Sequence, residues 1–146
     1  MPRTNLHATV VVLGRHGVLI AGASGAGKSA LALYMIGRCR AAGVFATLVA
    51  DDQVWVAAIG GRLVAEAPEA IAGLVEVRGF GPAATDHEKR ALIDLIVRLV
   101  PNDAAPRHRE DAMEAAEGIA LPRLDLPAGD APAAANAIAA HFGLRF

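Results

Sequence analysis

Aromatic residues are scarce in this 146-residue chain, at 4%, and cysteine occurs once. A lone Cys39 excludes a disulfide-stapled fold and fits a reducing compartment, so a cytoplasmic protein is expected. On one helical turn with Arg38 and Arg40, it reads as a small passive residue. An excess of one charge sign is also missing. Fourteen Lys and Arg against fifteen Asp and Glu leave a net charge of −1, which offers no electrostatic footprint for nucleic acid. No apolar run reaches the ~18 residues of a membrane helix. The run from Ala8 to Leu13 is too short for a signal sequence and stops at Gly14. Neither a membrane nor a targeting route is therefore expected. What remains is a 54% hydrophobic chain built on Ala, Val, Leu and Ile. Such a core, with little aromatic filler, suits helices packed closely on a sheet, and the length suits a single domain over residues 1–146.

Periodicity gives the order of elements. Ala8 to Leu13 and Val18 to Ile20 read as a hairpin around Gly14-Arg15-His16-Gly17. From Lys28 the spacing turns helical through Leu31, Leu33, Tyr34, Met35 and Ile36 to Ala42, with Gly43 as a C-cap. Val44 to Ala50 reads as a strand ending in Asp51-Asp52, and Val54 to Ile59 turns at Gly60-Gly61 into Arg62 to Val64. Leu74 to Arg78 reads as a short strand stopped by Gly79. Thr85 and Glu88 have capping-box spacing, which predicts a helix from about Asp86 to Val100 with Leu92, Leu95, Ile96 and Leu99 on its apolar face. Asn102 to Glu117 is polar and reads as a mobile loop leading into a short helical turn. Ile119 to Leu126 is a last strand, and Asp130-Ala131-Pro132 opens a final helix to about Phe142. The predicted fold class is α/β: a P-loop-containing mixed β-sheet with flanking helices.

Chemistry concentrates in Gly22-Ala23-Ser24-Gly25-Ala26-Gly27-Lys28-Ser29, a full phosphate-loop pattern between an apolar strand and a helix. Glycines at 22, 25 and 27 let backbone N–H groups curl around phosphate oxygens, and the helix start adds its positive dipole end. Lys28 brings a mobile charge to the outer phosphates and is expected to stand solvent-facing across the empty loop. Ser29 offers a hydroxyl to Mg²⁺, with ATP as donor. Asp51-Asp52 stands at the carboxyl end of a strand, where α/β sheets place ligands. Adjacent strand residues face opposite sides, so one aspartate can serve the metal and the other a nucleophile; the spacing alone leaves their roles open. Glu76 and Arg78 share one side of a strand end, as metal and phosphate groups or as a solvated pair. His7 opens the first strand, where a lone histidine is usually structural.

His7, the loop GASGAGKS, the strand end LVADD and the segment LVEVRGFG occur in the order that characterises the HPr kinase/phosphorylase family, and LPRLDLPAG resembles its C-terminal strand and turn. The resemblance runs from His7 through nearly the whole chain, and is to the short, catalytic-domain-only form found in α-proteobacteria, without the N-terminal domain of long members. It implies an Mg²⁺-dependent kinase that phosphorylates a serine of the phosphocarrier HPr, with phosphorolysis as the reverse activity, and hexamers as in the long forms. It implies Lys28 for the donor phosphates, Ser29 and Glu76 for Mg²⁺, Asp52 for the serine proton, and His7 in the active site. The family's loop arginine matches Arg107, with Arg109 as the alternative. Two rivals need other features. A small-molecule P-loop kinase would need a closing lid, for which only the short Asn102–Glu117 segment is available. A nucleotide-sensing module without transfer could spare the second aspartate.

Overall fold

The computed structural model describes residues 2–145. The chain opens with β1 (Thr4–Leu6), β2 (Ala8–Leu13) and β3 (His16–Gly22), and the Gly-rich loop then leads into α1 (Lys28–Ala41). Next come β4 (Ala46–Ala50), β5 (Val54–Ile59), β6 (Arg62–Glu66) and the short pair β7 (Leu74–Val77) and β8 (Gly81–Ala84). The second half holds β9 (Arg90–Val100), β10 (Ala112–Ala116), β11 (Ile119–Pro127) and α2 (Ala131–Phe142). The architecture is a mixed α/β sheet with two flanking helices, as expected.

Nine strands form one sheet in the order β1-β5-β6-β9-β3-β2-β4, with β11 also joined to β9 and β10 joined to β11. The hairpins make antiparallel pairs, whereas β3 and β11 run parallel to β9. The long β9 pairs with β6 through its first residues and with β11 through its last, so its length lets one strand serve both halves of the sheet. Alternation then sorts the core. Val18, Ile20, Leu95 and Val97 join the cluster under α1 and α2, while Leu19 and Ile96 join the cluster closed by β5 and β6. Cys39 lies fully buried in the helix-side cluster, and burial pushes its thiol pKa up, which fits a passive core residue.

Two expectations fail. Residues Asp86 to Val100 are not a helix: Arg90–Val100 is β9, and Thr85 and Glu88 use their N–H groups on the carbonyls of Gly73 and Leu48. Leu92, Leu95, Ile96 and Leu99 do have helical spacing, but they lie on a strand whose middle, Leu95 to Val97, is buried on both faces while Leu92 stays exposed, and periodicity cannot separate such a strand from a helix. Asn102–Glu117 is also not merely a loop. After a single 3₁₀ turn at Asn102–Ala104, β10 pairs along β11 through a two-residue turn at Glu117-Gly118, both with positive φ. A smaller revision concerns the first hairpin, where Leu13 pairs with His16 and the turn is Gly14-Arg15 alone. Gly17 is a strand residue; a Cβ there would stand 1.9 Å from the Leu92 carbonyl oxygen. Asp130 caps α2 by accepting a hydrogen bond from the Ala133 N–H, as its position before Pro132 suggested.

Candidate active site

Two strand ends and one helix start meet at one end of the sheet. β3 delivers Gly22, α1 begins at Lys28, and β4 ends at Ala50 directly before the two aspartates. Gly27 takes a left-handed φ of 95° at the N-cap of α1, and no side chain caps that end. The first-turn N–H groups therefore open onto a cleft of about 870 Å³, which the Asp51–Gln53 turn and the β7–β8 hairpin close from other sides. The loop is braced from behind, since the Gly129 N–H donates to the Ala26 carbonyl at 3.1 Å.

The two aspartates, in the bend just past β4, differ sharply in burial. Asp51 is buried and accepts three hydrogen bonds: from Ser29 Oγ at 2.6 Å and Thr9 Oγ1 at 2.8 Å on one oxygen, and from the Glu76 N–H at 2.8 Å on the other. This one carboxylate thus ties α1, β2 and β7 together, with every donor accounted for. Asp52 is 66% exposed and has a positive φ of 65°, in a tight turn closed by the Gln53 N–H on the Asp51 carbonyl. Its N–H donates to Thr9 Oγ1 at 3.1 Å. The left-handed conformation, which Asp tolerates better than most residues, turns its carboxylate out into the cleft mouth.

Lys28 departs from expectation. It is buried rather than solvent-facing, with Nζ donating to the Gly22 carbonyl at 3.0 Å and the Ala23 carbonyl at 3.3 Å. Nζ also lies 3.8 Å from Asp52 Oδ1. The physical reason is that an ammonium facing loop carbonyls at hydrogen-bond distance gains more by folding back than by standing free.

The cleft therefore gathers Lys28, Ser29, Asp51, Asp52 and Glu76 together with Ser24, Gly25, Gly27 and Arg78. His7 lies exposed at the bend between β1 and β2, beside the Ala8–Ala21 pair that leads into the loop, but does not line the cleft. Arg107 and Arg109 are not brought here. They line a separate cavity of about 250 Å³ against β11 and α2, beside His141. The cavity runs along α2 from Ala137 to His141 and along β11 from Arg123 to Leu126, and shares no lining residue with the cleft. There, burial lowers the His141 pKa first, with the charges of Arg109 and His16 assisting. The smaller cavity holds none of the loop or aspartate residues, which gather in the larger cleft.

The sequence reading missed Thr9, whose hydroxyl joins both aspartates. Within Ala8–Leu13 it looks like one more β-branched strand former, and only its being the lone hydroxyl in an apolar run could have marked it. Gly129 was missed too, because its contact with Ala26 links segments about a hundred residues apart.

The metal implied by the phosphate loop fits the donors present. Ser29, Asp51 and Glu76 offer oxygen, the ligand type that Mg²⁺ takes, and Mg²⁺ bound with a nucleotide needs only one or two carboxylates beside phosphate and water. Among the described residues no three acidic, histidine or cysteine side chains close a dedicated metal cage. No described helix is long and apolar enough to cross a membrane.

The family model described as the HPr serine kinase C-terminal domain matches residues 1–140. A relative named HPr kinase/phosphorylase from Clostridium tetani is 42% identical over 80 residues, covering 55% of this chain and 24% of its own. One of the same name from Geobacter sulfurreducens is 32% identical over 139 residues, covering 87% of this chain and 42% of its own. The matched part is thus less than half the length of either relative. Among solved structures, the Hpr(Ser) kinase/phosphatase from Coxiella burnetii superposes with a TM-score of 0.80 at 24% identity, over 95% of this chain and 96% of that one. That likeness concerns the fold.

Proposed function

This chain belongs to the HPr serine kinase C-terminal domain family, and from that premise we propose that it transfers the γ-phosphoryl group of ATP to a serine of HPr. The observation that carries the reading is the division of labour between the aspartates: Asp51 locked onto Ser29, Asp52 open at the cleft mouth 3.8 Å from Lys28. A nucleotide-sensing module has no need for an exposed carboxylate held there in a left-handed turn. A small-molecule kinase would need a lid, and the segment that could have supplied one is partly β10.

In this reading the donor phosphates lie over the open N–H groups of α1, and Lys28 exchanges its Gly22 and Ala23 carbonyls for phosphate oxygens. Ser29, Asp51 and Glu76 would hold Mg²⁺, which when bound neutralises charge developing on the phosphates. The serine hydroxyl of HPr approaches from the mouth and passes its proton to Asp52 as its oxygen bonds the γ-phosphorus, while the bond from that phosphorus to the bridging oxygen breaks and ADP leaves. In phosphorolysis, the other activity in the relatives' name, Asp52 returns that proton. His7 would assist from the strand end beside the loop, and Arg107 would take part only if its segment swings toward the cleft. A single domain working in the cytoplasm, and assembly into a homo-oligomer such as a hexamer, complete the proposal.

The deciding experiment incubates the protein with ATP, Mg²⁺ and purified HPr and measures the intact mass of HPr. A gain of one phosphate that depends on Lys28 supports the reading. Unchanged HPr, with ATP bound or consumed, would overturn it.

A further inference from the structure

We propose that Phe80 is a docking finger for the protein acceptor, meeting the surface of HPr around its target serine as that serine enters the cleft. The inference rests on the HPr kinase reading above and deepens it. Phe80 is the most exposed large apolar side chain of the described residues, at 78%. It sits in the three-residue turn between β7 and β8, where Val77 pairs with Gly81 and the Phe80 N–H donates to the Val77 carbonyl at 2.9 Å. Gly79 and Gly81 on either side take φ values of 84° and 108°, and a Cβ at either would meet nothing within 4 Å. The turn is thus built to hold a ring out in open space, not to tuck it away.

The base of the hairpin is fixed. Val75 is buried against the helix-side core, and the Glu76 N–H is bonded to Asp51, so the tip has a set place relative to the aspartates. Arg78 and Pro82, two residues to each side of Phe80, line the cleft, while Phe80 does not. The ring therefore stands on the rim, outside the volume that donor phosphates would fill. Below the tip, the same hairpin gives the cleft an apolar wall of Leu74, Val75, Val77 and Pro82.

The choice of occupant follows from reach. A serine hydroxyl is carried on one carbon beyond the backbone, so the acceptor's own surface must settle on the rim before that oxygen meets Asp52. A free small acceptor would have no surface to meet Phe80. A folded protein does, and an exposed aromatic beside a reacting centre is the kind of anchor that protein interfaces use.

The test compares wild type, Phe80→Ala and Phe80→Leu, with steady-state kinetics on HPr and separate equilibrium binding of Mg²⁺-ATP. Phe80→Ala should raise KM for HPr about tenfold or more, the range for truncating an aromatic anchor, with kcat and ATP affinity close to wild type and Phe80→Leu recovering much of the loss. Unchanged KM would overturn the docking role while leaving the kinase reading intact. Loss of ATP affinity would place Phe80 in the donor site, and a fall in kcat alone would make it a positioning group; either overturns the proposal. If wild type itself does not phosphorylate HPr, the kinase reading fails first and takes this inference with it.

Discussion

Lys28 and the aspartates show how little freedom this site leaves to single side chains. Because the Lys28 ammonium is buried on two loop carbonyls, Lys28→Ala unties the loop as well as removing the proposed phosphate ligand. It should abolish HPr phosphorylation and, in contrast to a free lysine, cost roughly 1–3 kcal/mol of stability, which urea unfolding would detect. Asp52→Asn keeps a residue that tolerates the left-handed turn and removes the proposed acceptor of the serine proton. Turnover should fall by ~10²-fold or more with stability and ATP affinity nearly unchanged. Asp51→Asn replaces an acceptor by a donor among three donors, so it should raise the Mg²⁺ concentration needed and lower the melting temperature. Titrating Mg²⁺ and heat against both variants separates them, and the reverse pattern would exchange their roles. That the Gly-rich turn and the Asp-Asp pair meet at one cleft was legible because their residue types are rare in that order. The lysine's folded-back state was not, since it depends on carbonyl positions that no residue name encodes.

At the scale of elements, sequence patterns worked where local chemistry and tertiary context agree. Gly60-Gly61 announced its hairpin, and Asp130 before Ala131-Pro132 announced α2. The β10–β11 hairpin was hidden because its turn puts Glu117 at a φ of 50°, where Asn or Asp would be the usual signal. β9 was hidden because a strand covered on both faces loses its alternation. Its neighbour β3 must come so close that Gly17→Ala, with a Cβ 1.9 Å from the Leu92 oxygen, should destabilise the protein by about 2 kcal/mol or more in urea unfolding. A second prediction concerns the far edge of the sheet. Arg98 on β9 reaches Glu114 on β10 with two bonds of 2.6 Å, and Arg123 and Asp125 of β11 complete the network. The hydrogen bonds from Arg98 hold the Glu114 carboxyl below the usual glutamate range, against its burial and helped by the charges of Arg98 and Arg123. A lowered folded pKa means stability present above the unfolded value and lost as pH falls through the folded one. Stability should therefore drop as pH goes below the ordinary glutamate range, and Glu114→Gln should be less stable at neutral pH with a flatter acid limb, read from melting temperatures across that window.

For the whole molecule, the two clusters of buried side chains are opposite faces of the same strands. Val10 and Val11, Leu19 and Ile20, and Ile96 and Val97 are adjacent pairs, each split between the two clusters. Neither face can lose its packing while the other keeps β2, β3 and β9 in register, because a strand that shifts by one residue swaps every side chain it presents. The active cleft is assembled from the same strands' ends, so it should vanish with them. One cooperative unfolding transition is the expected outcome, and with it a single domain. The chain supplies its own probe on one side: Trp55, its only tryptophan, lies on β5 beside Arg3, whose guanidinium stands 4.2 Å from the ring centroid. Far-UV ellipticity reports α1 and α2 on the other side. Urea curves from Trp55 fluorescence and from ellipticity should superimpose, and Mg²⁺-ATP should move both to higher urea together, since a ligand bound only by the folded state stabilises all that folds with it. A Trp55 transition that precedes the loss of ellipticity would mean the β1-β5-β6 end unfolds by itself, and the single-domain reading would be wrong.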